Sequence, residues 1–257
     1  MSTRKIIFTT GIRSDYFIQN PIIKAVEQHP DLESQLIITG AHLSHSHGYT
    51  ANEIYKDGHN VVSEIKNLIN TGHPSDRIRG AAIQIQKLIE VFERQKPDFI
   101  ISPYDREESI MTALAGVYMN IPVAHLGAGD RTRVNVDGVI RHSVTKLAHI
   151  MFCSTNENAQ RIIKMGEEVF RVKVVGHTAI ERYESIPSIS GEKLGEYLGL
   201  DIIDKPLIVV IQHPVSNWFE MTKEHIMATI ASIDEIALPT VIIRPNSDPG
   251  SETINKV

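Results

Sequence analysis

Short apolar runs rich in β-branched residues alternate with longer amphipathic stretches along most of this chain. KIIFTT, QLIITG, DFIISP, IPVAHL, HIMFCS and RVKVVG read as strands. Pro21 to His29, Asn52 to Asn70, Ser75 to Gln95, Glu108 to Met119 and Glu157 to Met165 read as helices. This β-α-β-α rhythm predicts a parallel sheet covered by helices, with strands apolar enough to be buried on both faces. Between Tyr183 and Lys205 the pattern weakens into ESIPSISGEKLGEYLGLDIIDK, a linker carrying a short helix. LIVVIQHP, a helix near Thr222 to Glu235 and TVIIRPN then open a second β-α-β run. The expectation is an α/β chain with a Rossmann-like domain over 1–186, a linker over 187–204, and the start of a second parallel-sheet domain over 205–257. Roughly 50 residues are few for an independent domain, so that second unit is expected to be cut short at Val257.

In open parallel sheets functional groups gather beyond the carboxyl ends of the strands. Thr10 to Asp15, Thr39 to His47, Asp105 and Gly127 to Asp130 all fall there, so four loops are expected to converge on one crevice. The densest chemistry lies between Ser102 and His149. Asp105, Asp130 and Asp137 share that window with Arg106, Arg131, Arg133 and Arg141, and with His125, His142 and His149. Carboxylates, guanidinium groups and imidazoles so mixed suit proton transfer beside a bound anion.

Asp105 follows the strand DFIIS and precedes Arg106 and Glu108, which points a carboxylate into the crevice beside a cation. The competing explanation is an N-cap for the following helix. Arg13, in TTGIRSDY, stands where backbone N–H groups and a helix dipole favour an anion, and its fork can grip phosphate; a surface ion pair with Asp15 is the alternative. His42, His45 and His47 in GAHLSHSHG have the types of metal ligands, but no cysteine pair or HExxH helix supports them. Hydrogen bonding or exposure is their expected fate, with His42 lining the crevice. His213 in VVIQHPV is presented at a strand tip by the turn at Pro214, suited to acid–base work or to a structural bond. Asn246 in RPNSDPG has the same placement one strand later.

Composition narrows the function. The chain has 257 residues, a formal net charge of -5 and a pI near 6.2, which gives no basic field for nucleic acid. Only Gly11 stands where a dinucleotide fingerprint needs three glycines, so NAD is not expected, and neither a metal nor another cofactor is implied. No apolar run approaches the roughly 20 residues that span a bilayer. One cysteine, Cys153, and an N-terminus that runs straight into strand-like sequence lead to a cytoplasmic expectation.

Taken together, GIRSDY, TGAHLSHSHGYT, DREE, DGVIRHSVTKLAH, QHPV and PNSDPGS resemble, in order, the motifs of the UDP-N-acetylglucosamine 2-epimerase family, most closely its hydrolysing branch. That branch forms N-acetylmannosamine and UDP for sialic-acid-like sugars. The resemblance implies two Rossmann-like domains in the GT-B arrangement, a nucleotide sugar between them, and a homo-oligomer, dimer or tetramer. It implies catalytic positions at Asp105, Asp137 and His213, joined by Asp130. Arg13, Arg106 and Asn246 match positions that hold UDP, and His42, Glu108, Arg141 and His142 complete the expected binding set. The implied reaction removes the C2 proton as UDP leaves, then adds water across the glycal with inversion at C2. A non-hydrolysing epimerase and a non-catalytic UDP-sugar-binding or assembly module are the alternatives. The family continues beyond the point matching Val257, so a fragment of a longer enzyme, inactive as it stands, is also expected.

Four departures mark this chain. The usual G-D-R is Tyr104-Asp105-Arg106, and a position acidic in some members is Gly127. The usual G-G-E is Ala128-Gly129-Asp130, followed by a loop through Arg131, Thr132, Arg133 and Val134 that is one residue longer. The added arginines fit a more anionic or more polar sugar.

Overall fold

Alternation within the apolar runs settles which side chains face which layer. A computed structural model describes residues 3–69, 73, 75–132, 136–245, 248 and 250–257. The chain divides into two units, Met1–Tyr183 and Glu184–Val257. In the first, the strands are β1 (Arg4–Thr10), β2 (Leu32–Thr39), β3 (Val61–Ile65), β4 (Phe99–Pro103), β5 (Val123–Leu126), β6 (Ile150–Cys153) and β7 (Val172–Val174). They form one sheet in the order β3-β2-β1-β4-β5-β6-β7, every pairing parallel. The order reverses between β1 and β4, where crossovers leave toward opposite edges and a crevice opens beyond the strand tips.

The helices are α1 (Arg13–Gln28), α2 (Ala51–Lys56), α3 (Asp76–Gln95), α4 (Glu107–Tyr118), α5 (Asp137–Leu147), α6 (Asn156–Lys164) and α7 (Ala179–Ser185). Ile7, Ile37, Ile100, Val123 and Met151 share one core with Leu88, Val91 and Phe92 of α3, Ala113 of α4 and Ile162 of α6. The neighbouring strand positions Phe8, Leu36, Ile38, Ile101 and Ala124 form the other core with Tyr16 and Ile23 of α1 and Ile54 of α2. Period-two alternation in the central strands thus feeds both layers.

The structure departs from the sequence expectation in several places. The helix expected from Asn52 to Asn70 is instead the short α2, a turn at Gly58 with φ of 80°, and the edge strand β3. Lys56-Asp57-Gly58 ends the helix, and β-branched Val61 and Val62 resume as strand. α1 begins at Arg13 rather than Pro21, with Pro21 inside it, where proline forgoes one intrahelical bond. α5 was not anticipated, although Ile140, Val144 and Leu147 keep the i, i+4, i+7 spacing of a helix face.

Helix α3 is bound tightly to the loop after β3. A methyl group at Gly80 would lie 2.4 Å from the Asn67 carbonyl oxygen. Asn67 in turn accepts the Gly40 N–H at 2.7 Å. Gly80→Ala is therefore expected to lower stability by roughly 1–3 kcal/mol, despite alanine's better helix propensity. A urea titration that shows the variant as stable as the parent would remove this contact from the account.

The second unit contains α8 (Gly191–Leu198), β8 (Ile208–Ile211), α9 (Thr222–Ile236), β9 (Thr240–Ile243) and α10 (Ser251–Asn255). β8 and β9 pair in parallel through α9. Ser190 opens α8, its side chain accepting the Lys193 N–H, and Gly199 closes it in the left-handed conformation. Among the described residues no helix is long and apolar enough to cross a membrane.

Candidate active site

The tips of β1, β2, β4 and β5 bring together most of the expected residues of the first unit. Asp105 follows β4, and the residue flanking α4 at its N-terminus is Arg106, which makes no side-chain cap bond. Capping therefore does not account for Asp105. Its carboxylate pairs with Arg141 of α5, and the other guanidinium nitrogen of Arg141 lies 2.8 Å from Asp130. Arg141 is buried, while Asp130 is largely exposed. One guanidinium thus ties the loops after β4 and β5, and holds two acids side by side without a solvated cation.

A second cluster lies across the switch point. Glu108 is buried where α4 starts, and Arg106 donates to it at 3.1 Å. Its carboxyl occupies space that side chains at Gly11 and Gly40 would need, each added Cβ falling 2.7 Å from it. Glycine at both strand tips is what admits the acid. Burial and neighbouring Glu107 push the Glu108 carboxyl up. For Glu107 burial is outweighed by Arg106 and Arg77, so its value falls; Arg77 donates to it at 2.6 and 3.0 Å. The backbone of Glu108 is held by Gln84 at 3.1 Å and Thr112 at 2.7 Å.

Asp15 belongs to this cluster and was not singled out from the sequence except as an ion-pair partner for Arg13. Its carboxyl is buried, with Oδ2 lacking any hydrogen-bond partner. Burial raises it from 3.8 to about 7, against the pull of Arg106 and with a further push from Glu108. The GIRSDY motif marked the strand tip, but the burial of position 15 was invisible in the sequence. Because the folded value lies above the ordinary one, the folded state keeps a proton that the unfolded chain releases. Stability from this group is present below about pH 4 and is lost as pH rises toward 7. Asp15→Asn is expected to flatten that fall and to gain on the order of 2–4 kcal/mol over the parent at pH 8. Urea titrations at several pH values test it, and parallel curves for the two proteins sink it.

The remaining residues divide. Arg13 is the first residue of α1, exposed, 3.8 Å from Glu53 rather than paired with Asp15. His42 is fully buried, with Nε2 3.0 Å from Thr10 Oγ1 and Nδ1 2.7 Å from Thr50 Oγ1. Burial lowers it to about 4, so a neutral ring pins the β2 loop to β1 instead of facing the crevice. His142 lies beside Arg141 with a buried, unpartnered Nδ1; burial and then Arg161 lower it. Asp137 is the first residue of α5. His213 stands two residues beyond β8 in the second unit, exposed. Asn246 and Arg133 lie outside the described residues. Among the described residues no group of three or more His, Cys, Asp or Glu side chains is arranged to hold a metal.

His125, buried beneath the site, bonds the Tyr104 carbonyl through Nε2 at 2.7 Å, so that nitrogen carries the proton. Burial lowers its value to about 3, which keeps the ring neutral. It anchors the turn that presents Asp105.

A family description, UDP-N-acetylglucosamine 2-epimerase, matches residues 24–257. The chain belongs to that family. The chain is 32% identical over 255 residues to the UDP-N,N'-diacetylbacillosamine 2-epimerase (hydrolyzing) of Legionella pneumophila, covering 99% of this chain and 67% of that protein. It is 28% identical over 258 residues to the GDP/UDP-N,N'-diacetylbacillosamine 2-epimerase (hydrolyzing) of Campylobacter jejuni, covering 100% of this chain and 67% of that protein. The chain thus spans about two thirds of the length of these 2-epimerases. Among solved structures, the UDP-GlcNAc 2-epimerase from Neisseria meningitidis bound to UDP-GlcNAc superimposes with a TM-score of 0.81 at 18% identity, over 98% of this chain and 69% of that one. The likeness shows the fold, α/β of the GT-B type shared by 2-epimerases.

Proposed function

We propose that this 2-epimerase family member is hydrolysing and acts on UDP-activated acetamido sugars, with a UDP-diacetamido sugar preferred over UDP-GlcNAc. The carrying observation is the Asp105–Arg141–Asp130 group at the tips of β4 and β5 in a chain of this family. The names of the Legionella and Campylobacter relatives support the diacetamido preference. In the proposed reaction a carboxylate takes the C2 proton while the C1–O bond breaks and its electron pair leaves with UDP. Water then delivers hydroxide to C1 and a proton to the opposite face of C2, releasing the free epimerised sugar. Asp105 is the proposed base, held beside Arg141, which spares it free rotation. Asp130, Asp137 and His213 are the remaining proposed acid–base groups. Arg106, Glu108, Arg141 and His142 line the sugar and phosphate side, Arg13 reaches the diphosphate from the start of α1, and Asn246 holds UDP. His42 acts by positioning its loop. The protein is proposed to be a cytoplasmic homo-oligomer.

The test is incubation of the full-length protein with each UDP-sugar in D2O. Free UDP and a C2-deuterated free sugar are expected. Intact UDP-sugar epimerised at C2 would establish the non-hydrolysing reading, and no change in either substrate would leave the binding-module reading.

A further inference from the structure

Tyr104 and Gly127, two positions where this chain leaves the family pattern, are physically one feature. Tyr104 has φ of 51°, in the left-handed region that favours glycine. A bulky residue kept in such a conformation at a strand tip points to a role that offsets the strain. Its ring lies where a side chain at 127 would be: a Cβ there would fall 2.5 Å from Cε1 and 2.6 Å from Cδ1. A tyrosine at 104 and any side chain at 127 therefore exclude each other. The ring stands beside the proposed base, with the Arg141 guanidinium 5.7 Å from its centroid.

The hydroxyl is also prepared. It lies 3.0 Å from Nε2 of His177, at an exposed edge. The Ala179 N–H donates to Nδ1 of the same ring at 3.2 Å, which requires a lone pair on Nδ1. The neutral ring then carries its proton on Nε2 and donates it to the phenolic oxygen. The Tyr104 O–H is left to donate elsewhere. Burial raises its value to about 12, so it is a donor and not a base.

We propose that Tyr104, seated on Gly127 and oriented by His177, is a specificity-determining residue that receives the second N-acetyl group of a diacetamido sugar, its ring against the methyl and its hydroxyl donating to the amide carbonyl. A hydroxyl at that sugar position stops short of both the donor and the apolar face, which disfavours UDP-GlcNAc. The inference rests on the reading of the protein as a UDP-acetamido-sugar enzyme.

The experiment measures kcat/KM and, by calorimetry, Kd of the full-length protein for UDP-N,N'-diacetylbacillosamine and UDP-GlcNAc. Tyr104→Phe is expected to lower the diacetamido preference about tenfold, the worth of one hydrogen bond in a formed site, mainly through KM and Kd. Tyr104→Gly is expected to remove the preference. Gly127→Ala is expected to cost less stability in the Tyr104→Gly background than in the parent, since the clash is gone. Equal losses on both sugars, as a merely structural role produces, or an unchanged preference overturn the proposal. Failure of the catalytic reading looks different: the parent turns over neither sugar, yet the Tyr104-dependent Kd ratio persists.

Discussion

Asp105→Asn is expected to reduce UDP release about a thousandfold while leaving the fold intact. A positioned acid–base group contributes about 10²–10⁴ in rate. Asparagine keeps the shape of the side chain and an oxygen for the Arg141 contact, but it cannot take a proton from C2. The loss should therefore fall on kcat, with affinity for the UDP-sugar retained within about tenfold. Exchange of the C2 hydrogen for deuterium should fall with it. A kcat reduced less than tenfold assigns the proton transfer to another acid, with Asp137 and Asp130 the next to test.

Arg141→Gln is expected to lower both stability and turnover. The guanidinium is buried and bridges Asp105 and Asp130, so its removal leaves a partly buried carboxylate unpaired. A fully buried broken pair costs about 3–5 kcal/mol. Asp130 is 59% exposed and is rescued by water, so about 2 kcal/mol is the expected loss. The freed Asp105 loses its fixed orientation, and kcat should fall about a hundredfold. Adding Asp105→Asn to Arg141→Gln should restore part of the stability, because the orphaned charge is gone. Strictly additive losses in denaturant titrations would falsify the pairing as the cause.

The layered fold was readable because its signals are local. Apolar runs such as KIIFTT and DFIISP cannot stay in water, and their neighbours along the chain carry helical periodicity, so the parallel sheet follows. Edge strand β3 was missed for the complementary reason. At an edge only one neighbour pairs, and Val61 to Ile65 carry too few apolar residues to separate a strand from a continuing helix. Asp105 was legible as a strand-tip acid, whereas its partner Arg141 lies 36 residues away and is brought to it by the packing of α5 against α4.

By itself the sequence determined the α/β class, the strand tips where the candidate site lies, and the motifs that place the chain among the 2-epimerases. Tertiary structure alone decided the partners. It buried Asp15 with an unpartnered oxygen, turned His42 into a loop anchor, and laid the Tyr104 ring on Gly127. The physical reason is range: hydrophobic periodicity is written over a few neighbouring residues, while desolvation, ion pairing and steric exclusion depend on groups that meet only when distant strands align.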